Sequence, residues 1–327
     1  MTSNRTQISV KGRQIEVPLV QVDGFDIVTT GRWLKMAAVQ SEDYAEKDPS
    51  INPERLITGL KNQNIKADIF SIAQRIPDIS VRHPYPMQWD NVAAIPIRDY
   101  SSWWNSLSQE TRRNVRLATK RGVSVQAANF SDNLVRGIAD IYNEIPVRQG
   151  RRFWHYGKDF DTVKRENASY LDRSQFIAAY CGAELAGFIK MVFVGKYASI
   201  MQILSKEKHR DKRLTNALVA KAVELCAQKG ASHLLYCKYV YHKNYQDALT
   251  EFKRRNGFEQ ILVPRYYVPL TLKGHLAVRL KLQLGLSELL PQSLVVALLK
   301  ARAWHYERKT MNRTPDNSVL NQHEALQ

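Results

Sequence analysis

The stretch at residues 199–230, SIMQILSKEKHRDKRLTNALVAKAVELCAQKG, decides the fold prediction because three patterns follow one another in it. An apolar run predicts a strand and a basic run predicts a loop. Apolar residues at every third or fourth position from Leu214 to Leu225 then predict an amphipathic helix, and Gly230 is a typical C-terminal stop. The stretch therefore predicts a strand, a loop and a helix in direct succession.

The loop within this stretch is a candidate anion site. A loop that opens a helix presents backbone N–H groups and the positive end of the helix dipole. Arg210, Lys212 and Arg213 add formal positive charge at the same place. The pattern indicates a donor molecule that carries phosphate. A basic helix start on a solvated face has about equal weight as the alternative.

The charge of the chain favours a polyanionic partner. The 327 residues leave room for two domains, 24% of them are charged, and the formal net charge is +17. Candidate partners are nucleic acid, an anionic membrane surface and a nucleotide-linked substrate. Charge alone does not choose among these three.

Short motifs argue against several kinds of site. Cys181, Cys226 and Cys237 show no CxxC spacing, which argues against a disulfide framework or a metal site. The sequence contains no P-loop, HExxH, GxSxG or GxGxxG pattern, so nucleotide hydrolysis, zinc proteolysis and hydride transfer have no support. The amino-terminal segment has no apolar run of signal-peptide length, which predicts a cytoplasmic protein.

The order of elements predicts a mixed α/β fold with two unequal lobes. Residues 1–100 contain short strand-like runs around one helix, and we expect a truncated lobe there. Residues 101–272 read as helix, strand, two helices, three strands, helix, strand, helix and strand. We expect this second segment to form the main domain.

The carboxyl-terminal segment is predicted to be an amphipathic extension. Residues 273–313 read as two leucine-rich helices with many basic residues, broken near Pro291. Neither apolar run reaches the length of a membrane span, so docking on an anionic membrane surface is the physical candidate. Packing on the first lobe or dimerisation has equal weight. Residues 314–327 are polar and predicted to be disordered.

Two motifs and this element order carry a family resemblance. The element order, with RDKRLTNALV at residues 210–219 and LTEFKRRNGFE at 249–259, resembles the GNAT acyltransferase superfamily. A truncated lobe before a full one, with WWNSLSQETRRNVRLATKRGV at 103–123, is similar to the Fem-type peptidoglycan-bridge aminoacyltransferases. The resemblance implies a GNAT-fold N-acyltransferase that modifies an amino group on a cell-envelope or polysaccharide precursor. It also implies no permanently bound cofactor, with acyl-CoA or aminoacyl-tRNA as co-substrate.

The resemblance implies a donor site where two neighbouring strands diverge, near Leu204 and Tyr236. The implied donor-binding residues are Ile203, Leu204, Ser205, Arg210, Lys212, Arg213, Leu214 and Thr215. The usual phosphate loop has glycines where this chain has Asp211, Arg213 and Thr215, and glycine lets the backbone approach a pyrophosphate. This departure argues against ordinary acetyl-CoA binding and suits an aminoacyl-tRNA donor.

Three residues are candidates for the chemistry. Many GNAT enzymes have a tyrosine where this chain has Lys253, and a lysine near a carbonyl stabilises an oxyanion or donates a proton. An exposed helix lysine is the alternative reading. His242 and Tyr245 follow the predicted strand HLLYC, at the strand end where open α/β sheets place ligands, and are candidates for proton transfer.

The loop at residues 146–158 has the most unusual composition in the chain. Its predicted acceptor-binding residues are Arg148, Gln149, Arg151, Arg152, Trp154, His155 and Tyr156. Arginine suits a bidentate contact with phosphate or carboxylate, and the aromatic rings offer stacking faces. The alternative is an ordered lid whose arginines pair with Glu144 and Asp159. A binding protein that keeps the fold without catalysis, at a membrane surface or on nucleic acid, is the alternative to an enzyme.

Overall fold

The computed structural model describes most of the chain. The described residues are 4–10, 13–45, 53–63, 65–148, 151–241, 247–284, 290–291, 293–298, 300–301 and 304. Within these ranges, twelve strands form one continuous mixed sheet and two further strands form a short hairpin. The mixed α/β fold class is therefore confirmed, and the predicted tail at 314–327 lies outside the described residues.

The first lobe contains five strands and one helix. They are β1 (Arg5–Val10), β2 (Arg13–Val22), β3 (Phe25–Thr30), β4 (Met36–Val39), α1 (Pro53–Asn62) and β5 (Ile69–Ala73). Leu56, Ile57 and Leu60 recur at helical spacing and bury one face of α1. Because α1 crosses over between β4 and β5, these two strands pair in parallel.

The segment after β5 joins the two lobes. It contains β6 (Met87–Pro96), α2 (Tyr100–Ser106), α3 (Gln109–Lys120) and β7 (Val123–Ala128). Asp99 caps α2 by accepting the Ser102 backbone N–H, and Ser108 caps α3 by accepting the Thr111 N–H. These caps fix where the two helices begin beside the main domain.

The rest of the described chain follows the predicted order of helices and strands. The elements are α4 (Asp132–Tyr142), β8 (Val147–Arg148), β9 (Arg151–Arg152), α5 (Phe160–Asn167), β10 (Ser174–Cys181), β11 (Glu184–Val194), β12 (Tyr197–Ser205), α6 (Leu214–Gln228), β13 (His233–Leu235), α7 (Ala248–Arg255), β14 (Glu259–Pro269) and α8 (Leu272–Arg279). The strand β8 pairs only with β9, so the hairpin lies in the loop between α4 and α5.

The sheet order shows how the lobes are joined. The order is β1-β2-β3-β4-β5-β14-β6-β13-β12-β11-β10-β7, so the last strand, β14, lies between β5 and β6. Although β6 belongs to the first hundred residues, it pairs with β13 and β14 in the middle of the sheet. The two lobes therefore share one backbone hydrogen-bond network.

Helices cover the main domain on both faces. The helix α6 packs on one face with α2 and α3, around Leu218, Val223 and Trp103. The helices α4 and α5 pack on the other face, around Ile138 and Phe188. Because both faces are covered, β11 is an almost continuously buried apolar strand.

Candidate active site

The strands β12 and β13 pair over three residues and then separate. Parallel pairing joins Tyr197 to His233 and ends where Ser199 faces Leu235. Beyond this point β12 continues beside β11 to its last residue, whereas the chain after β13 stays with β6, where the Tyr236 N–H donates to the Ala93 carbonyl oxygen at 2.8 Å. The predicted divergence is therefore confirmed, and we call the opening the strand gap.

A bulge in β12 lies at the strand gap. The register against β11 pairs Met191 with Ile200 and Lys190 with Gln202, which leaves Met201 as an extra residue. A bulge interrupts the ladder and re-aims the neighbouring groups. The signal in the sequence is slight: in SIMQILS at residues 199–205, Ile200 and Met201 stand side by side and break the alternation of an ordinary strand.

The three predicted donor-binding residues of β12 line up beside the gap. Ile203 packs on the α6 side of the sheet, and Leu204 packs on the α4 side. The Ser205 carbonyl oxygen accepts a hydrogen bond of 2.8 Å from Arg148 Nη1. The end of β12 is therefore held from both faces of the sheet and from the loop above it.

The basic loop after β12 is a short 3-10 turn, Glu207–Lys212, followed by α6. Arg213 joins them in a left-handed conformation with φ of 58°, a conformation that glycine adopts at lower cost. Arg121 of α3 donates to the Asp211 carbonyl oxygen and holds the turn. Arg210 and Arg213 are exposed, whereas the Leu214 side chain is buried in the core. Only the backbone of Leu214 therefore lies at the predicted donor site, because its side chain packs in the core and supports α6.

Lys253 of α7 is the most unusual side chain near the gap because it is fully buried. Its Nζ donates to the Lys238 carbonyl oxygen and lies 4.7 Å and 5.0 Å from the ring centroids of Tyr236 and Tyr241. Burial lowers the pKa of Lys253 to about 8. Lys253 is thus not an exposed helix lysine but a buried lysine beside the end of β13.

The other two candidates for the chemistry cannot be placed. His242 and Tyr245 lie outside the described residues. Cys237, which follows β13, adopts a left-handed conformation with φ of 48°, and its thiol is open to the space between the lobes. Burial by the surrounding protein raises the pKa of this thiol, so it is held as the neutral form.

The loop between α4 and α5 is fastened by Arg148. Its guanidinium donates to the Ile141 carbonyl oxygen at 2.8 Å as well as to β12, and it pairs with Glu144 at 3.2 Å. It also lies 4.6 Å from the ring centroid of Phe153. The contacts described for Arg148 are structural, as in the lid alternative, and it positions the loop rather than reaching toward solvent.

Other predicted acceptor residues are open to solvent. Arg151, Arg152, Trp154 and Tyr156 are exposed, and Gln149 lies outside the described residues. Of these four exposed residues, Trp154 lines a cavity of about 480 Å³, which we call the loop pocket. The loop pocket is lined by Gln14, Tyr142, Trp154, His155, Lys158, Glu166, Asn167, Lys190, Met201 and Gln202. The loop therefore combines a fastened base with an exposed aromatic and cationic rim.

His155 lies in the wall of the loop pocket. Its ring centroid is 4.3 Å from that of Tyr142, and its Nε2 is 3.3 Å from Gln202 Nε2. Burial, reinforced by the positive charges of Lys158 and Arg148, lowers the pKa of His155 to about 3. The imidazole is therefore neutral at physiological pH and contributes hydrogen bonding rather than charge.

A second cavity, of about 340 Å³, lies where the two lobes meet, and we call it the interlobe cavity. Its lining residues include Glu42, Asp43, Tyr44, Gln74, Arg75, Ile76, Asp90, Val92, Tyr197, Ser199, Leu235, Cys237, Lys238, Tyr241, Val263 and Arg265. It reaches the strand gap, since Ser199 and Leu235 form the last pair of the β12–β13 ladder. No pattern in the sequence predicts this cavity, because its acidic wall is a short polar turn in the first lobe.

An ion network crosses the interlobe cavity. Arg265 of β14 pairs with Glu42 of the first lobe at 2.8 Å and with Asp90 of β6 at 2.9 Å. Although burial opposes ionisation of Asp90, the positive charges of Arg265 and Lys238 lower its pKa. The network therefore keeps buried charges compensated between the lobes.

The described part of the chain has neither a metal-binding cluster nor a helix that could span a membrane. No group of three His, Cys, Asp or Glu side chains there is arranged to hold a metal ion. None of the helices described has both the length and the hydropathy that a membrane span requires.

Comparison by sequence identifies the domain that contains the strand gap. Residues 138–258 match the model of the acetyltransferase (GNAT) family, a segment that runs from α4 to the residue before β14. This segment includes the β8–β9 hairpin, the bulge in β12, the basic turn and Lys253. A search of curated proteins found no match to the chain.

Solved structures share the two-lobed fold. FemX has a TM-score of 0.50 at 12% identity, covering 80% of this chain and 87% of that one. The C-terminal domain of a proposed lysylphosphatidylglycerol synthetase from Agrobacterium fabrum has a TM-score of 0.52 at 9% identity, covering 80% of this chain and 87% of that one. L-PGS from Bacillus licheniformis has a TM-score of 0.50 at 12% identity, covering 81% of this chain and 88% of that one. Identities this low show a common fold.

Proposed function

The chain carries an acyltransferase domain of the GNAT family at residues 138–258 in a two-lobed Fem-type fold, and from this premise we propose its reaction. It transfers an acyl or aminoacyl group to an amino group on a cell-envelope or polysaccharide precursor. In this proposal residues 1–100 are a truncated GNAT-like lobe, 101–272 the transferase domain and 273–313 a basic extension.

The observation that carries the proposal is the strand gap with Lys253 buried at its edge. The gap leaves β12 backbone without a β13 partner, so a carbonyl can lie between the strands. Lys253 is the only charged residue of α7 whose side chain is fully buried. Its lowered pKa suits a donor that protonates the leaving group near neutral pH. Lys253 is therefore the proposed proton donor, and His242 and Tyr245 stay candidates for the same task.

The donor is an acyl thioester or an aminoacyl-tRNA, held by the end of β12 and the basic turn. Two observations favour the RNA donor. Arg213 occupies the left-handed position at the start of α6, where a side chain hinders close approach of a pyrophosphate. The neighbouring helix α3 adds a basic surface with Arg112, Arg113, Arg116 and Lys120.

Donor identity is testable with purified protein. Isothermal titration with acetyl-CoA and mass spectrometry of co-purified small RNAs separate the two donors. We expect enriched tRNA, released steeply as salt rises, and no saturable heat from acetyl-CoA. Saturable acetyl-CoA binding would assign a thioester donor, and donor binding without turnover of any amine would contradict the transferase proposal.

The exposed rim of the loop pocket is proposed to hold the body of the acceptor. Arg151→Ala and Arg152→Ala should each raise the acceptor KM about 5- to 30-fold, because each removes a charge-assisted contact worth roughly 1–2 kcal/mol, and should leave kcat nearly unchanged. The measurement is initial-rate kinetics with varied acceptor. The control is Arg136→Ala, because Arg136 is an arginine of α4 that lies over the Phe160 ring. An unaltered KM in both loop variants would move the acceptor elsewhere.

The extension is proposed to dock on an anionic membrane. Leu272 and Leu276 of α8 and Leu280 at its C-terminal cap follow one another at four-residue spacing and are 90%, 58% and 55% exposed. The opposite side is fixed, since Ala277 is buried and a side chain at Gly274 would meet the Asp68 carbonyl oxygen. Exposed leucines on a firmly packed helix, with basic residues around them, suit the interface of acidic lipids.

The double substitution Leu276→Glu with Leu280→Glu tests this surface. We expect sedimentation with phosphatidylglycerol vesicles to fall at least about 10-fold, because two leucines that each gain roughly 1.5 kcal/mol on burial are replaced by anions. The control is Leu171→Glu, at a leucine of the main domain that is 43% exposed, and this variant should sediment like the unchanged protein. Unchanged sedimentation of the double variant would exclude α8 as the anchor, and a shift from dimer to monomer would assign the surface to self-association.

A further inference from the structure

One carboxylate contacts both the basic turn and the loop at residues 146–158, which we call the acceptor loop. We propose that this residue, Glu144, is a positioning residue that links the two segments, so that donor and acceptor bind cooperatively. The inference rests on the proposed donor and acceptor sites. It adds the way in which occupation of one site changes the affinity of the other.

Glu144 follows α4 and reaches the basic turn with both carboxylate oxygens. Its Oε2 accepts the backbone N–H of Glu207 at 2.7 Å, and its Oε1 accepts that of Lys208 at 3.1 Å. These are the first two N–H groups of the turn, and the first N–H groups of a helical turn have no partner inside it. The carboxylate therefore fixes the start of the turn that leads to the exposed Arg210 and Arg213.

Glu144 is joined to the acceptor loop through Arg148. Arg148 Nη2 lies 3.2 Å from Glu144 Oε2, the same oxygen that accepts the Glu207 N–H. Arg148 also donates to the Ser205 carbonyl oxygen at the end of β12. In the β8–β9 hairpin it lies opposite Arg151, a proposed contact of the acceptor. One chain of contacts therefore runs from the rim of the acceptor loop to the basic turn.

The link is shielded from water. The side chains of Arg148 and Glu144 are only 10% and 14% exposed. An ion pair that is enclosed in this way is screened little by salt, and removal of one partner leaves the other charge buried without compensation. A change of charge at Glu144 should therefore be felt at both ends of the chain of contacts.

A second carboxylate holds the turn without touching the acceptor loop. Glu184, the first residue of β11, contacts three basic side chains at the start of the turn: Lys206 Nζ at 2.6 Å, Lys208 Nζ at 2.7 Å and His209 Nε2 at 2.9 Å. Within the described residues, its hydrogen bonds and ion pairs do not reach residues 146–158. Glu184 is thus the matched control for the turn.

The residue before Glu144 holds the acceptor loop without touching the turn. Asn143 Oδ1 accepts the Gly157 N–H at 2.7 Å, and Asn143 Nδ2 donates to the Lys158 carbonyl oxygen at 3.0 Å. In the described part of the chain, the side-chain hydrogen bonds of Asn143 go to this loop alone. Asn143 is thus the matched control for the loop.

A shared tie makes two binding events depend on each other. A donor that orders the basic turn also orders the acceptor loop through Glu144, so the acceptor then loses less conformational entropy when it binds. The effect is reciprocal, because the coupling free energy belongs to the pair of sites rather than to either one.

Hydrogen–deuterium exchange followed by peptide mass spectrometry tests the link without a ligand. Glu144→Gln keeps the shape of the side chain, but it removes the charge and leaves one oxygen for two backbone N–H groups. We expect peptides from residues 206–213 and from residues 151–158 both to exchange at least about 10-fold faster, because charge-assisted hydrogen bonds are lost at both ends. Peptides from α1, in the first lobe, should exchange as in the unchanged protein.

Two control variants separate the ends of the link. Glu184→Gln should speed exchange of the turn peptides alone, and Asn143→Ala should speed exchange of the loop peptides alone. Faster exchange in the turn but not in the loop of Glu144→Gln would overturn the link, because Glu144 would then only cap the turn. Faster exchange of both segments in Glu184→Gln, or of α1 in Glu144→Gln, would also overturn it, since the segments would then loosen together without this tie.

Total tRNA is the donor probe for cooperative binding, and fluorescence anisotropy shows when it saturates the protein. Bound tRNA should slow exchange of the loop peptides at least about 3-fold in the unchanged protein, and Glu144→Gln should lose this protection at saturation. Loop exchange that ignores bound tRNA would overturn the cooperativity. Protection that survives Glu144→Gln would overturn it too, because the RNA would then contact the loop directly.

Failure of the link and failure of the proposed function are distinguishable. If total tRNA does not bind, acetyl-CoA is the donor probe in the same experiment. Absence of binding by both probes would count against the proposed donor site, whereas the ligand-free exchange of Glu144→Gln still decides whether the carboxylate links the two segments.

Discussion

Lys253→Met is expected to lower acyl transfer at least about 100-fold while the protein stays folded. The loss is expected because a positioned proton donor or oxyanion partner contributes roughly two to three orders of magnitude to kcat. Methionine keeps the length and the apolar stem of the side chain, so the space beside Tyr236 and Tyr241 stays filled. The measurement is kcat with saturating donor and acceptor.

The same substitution should raise stability. Burial lowers the pKa of Lys253 from 10.5 to about 8, so the folded state favours the neutral amine. For a lysine whose folded pKa is lowered, stability falls as pH drops from 10.5 through 8. Methionine removes this cost, and we expect a gain of about 1–3 kcal/mol at pH 6 that disappears above pH ~10.5. Chemical unfolding at the two pH values measures it.

Lys221→Met is the matched control for Lys253. Lys221 is a lysine of α6 that is partly exposed and pairs with Glu224 at 2.9 Å. A surface pair of this kind contributes roughly 0–1 kcal/mol, so both activity and stability should change little. A Lys253→Met enzyme that keeps more than a tenth of its activity would contradict the proton-donor assignment, even if the stability gain were observed.

The local parts of the fold could be predicted from sequence because they depend on neighbouring residues. The helix from Leu214 follows from three-to-four-residue spacing, and the divergence of β12 and β13 follows from the resemblance that the element order carries. The basic turn was likewise visible as a run of charges. The helix and the basic turn each lie within a single segment, whereas the divergence joins two strands and was predicted only through the resemblance.

The interlobe cavity could not be predicted because its parts are far apart in the chain. Glu42, Asp90 and Arg265 come from three separate segments, and each looks like an ordinary surface charge in its own segment. The burial of Lys253 was hidden in the same way, since a lysine on an amphipathic helix is usually exposed. Arg148 shows the reverse case, because a residue predicted to bind the acceptor is used to fasten the loop.

Arg265→Leu is expected to destabilise the protein by about 3–5 kcal/mol at pH 7, since it removes one member of a buried ion network. Its guanidinium makes contacts of 2.8 Å with Glu42, 2.9 Å with Asp90 and 3.2 Å with Ser71. Without it, Glu42 loses this cation and Asp90 keeps only Lys238, at 3.2 Å, in the cavity that also contains Asp43. Arg254→Leu, which breaks an exposed pair with Glu251, should cost less than about 1 kcal/mol.

The pH dependence of the Arg265→Leu deficit identifies its cause. In the unchanged protein the pKa of Asp90 is lowered, so its stabilisation is present above pH 3.8 and is lost as pH falls through the folded value. In the variant the Arg265 cation is gone, and burial should raise the pKa of Asp90. Protonation then relieves the repulsion, so the deficit should shrink between pH 7 and pH 4. A deficit that is constant across this range, measured by urea unfolding, would show lost packing at the β14 strand rather than uncompensated charge.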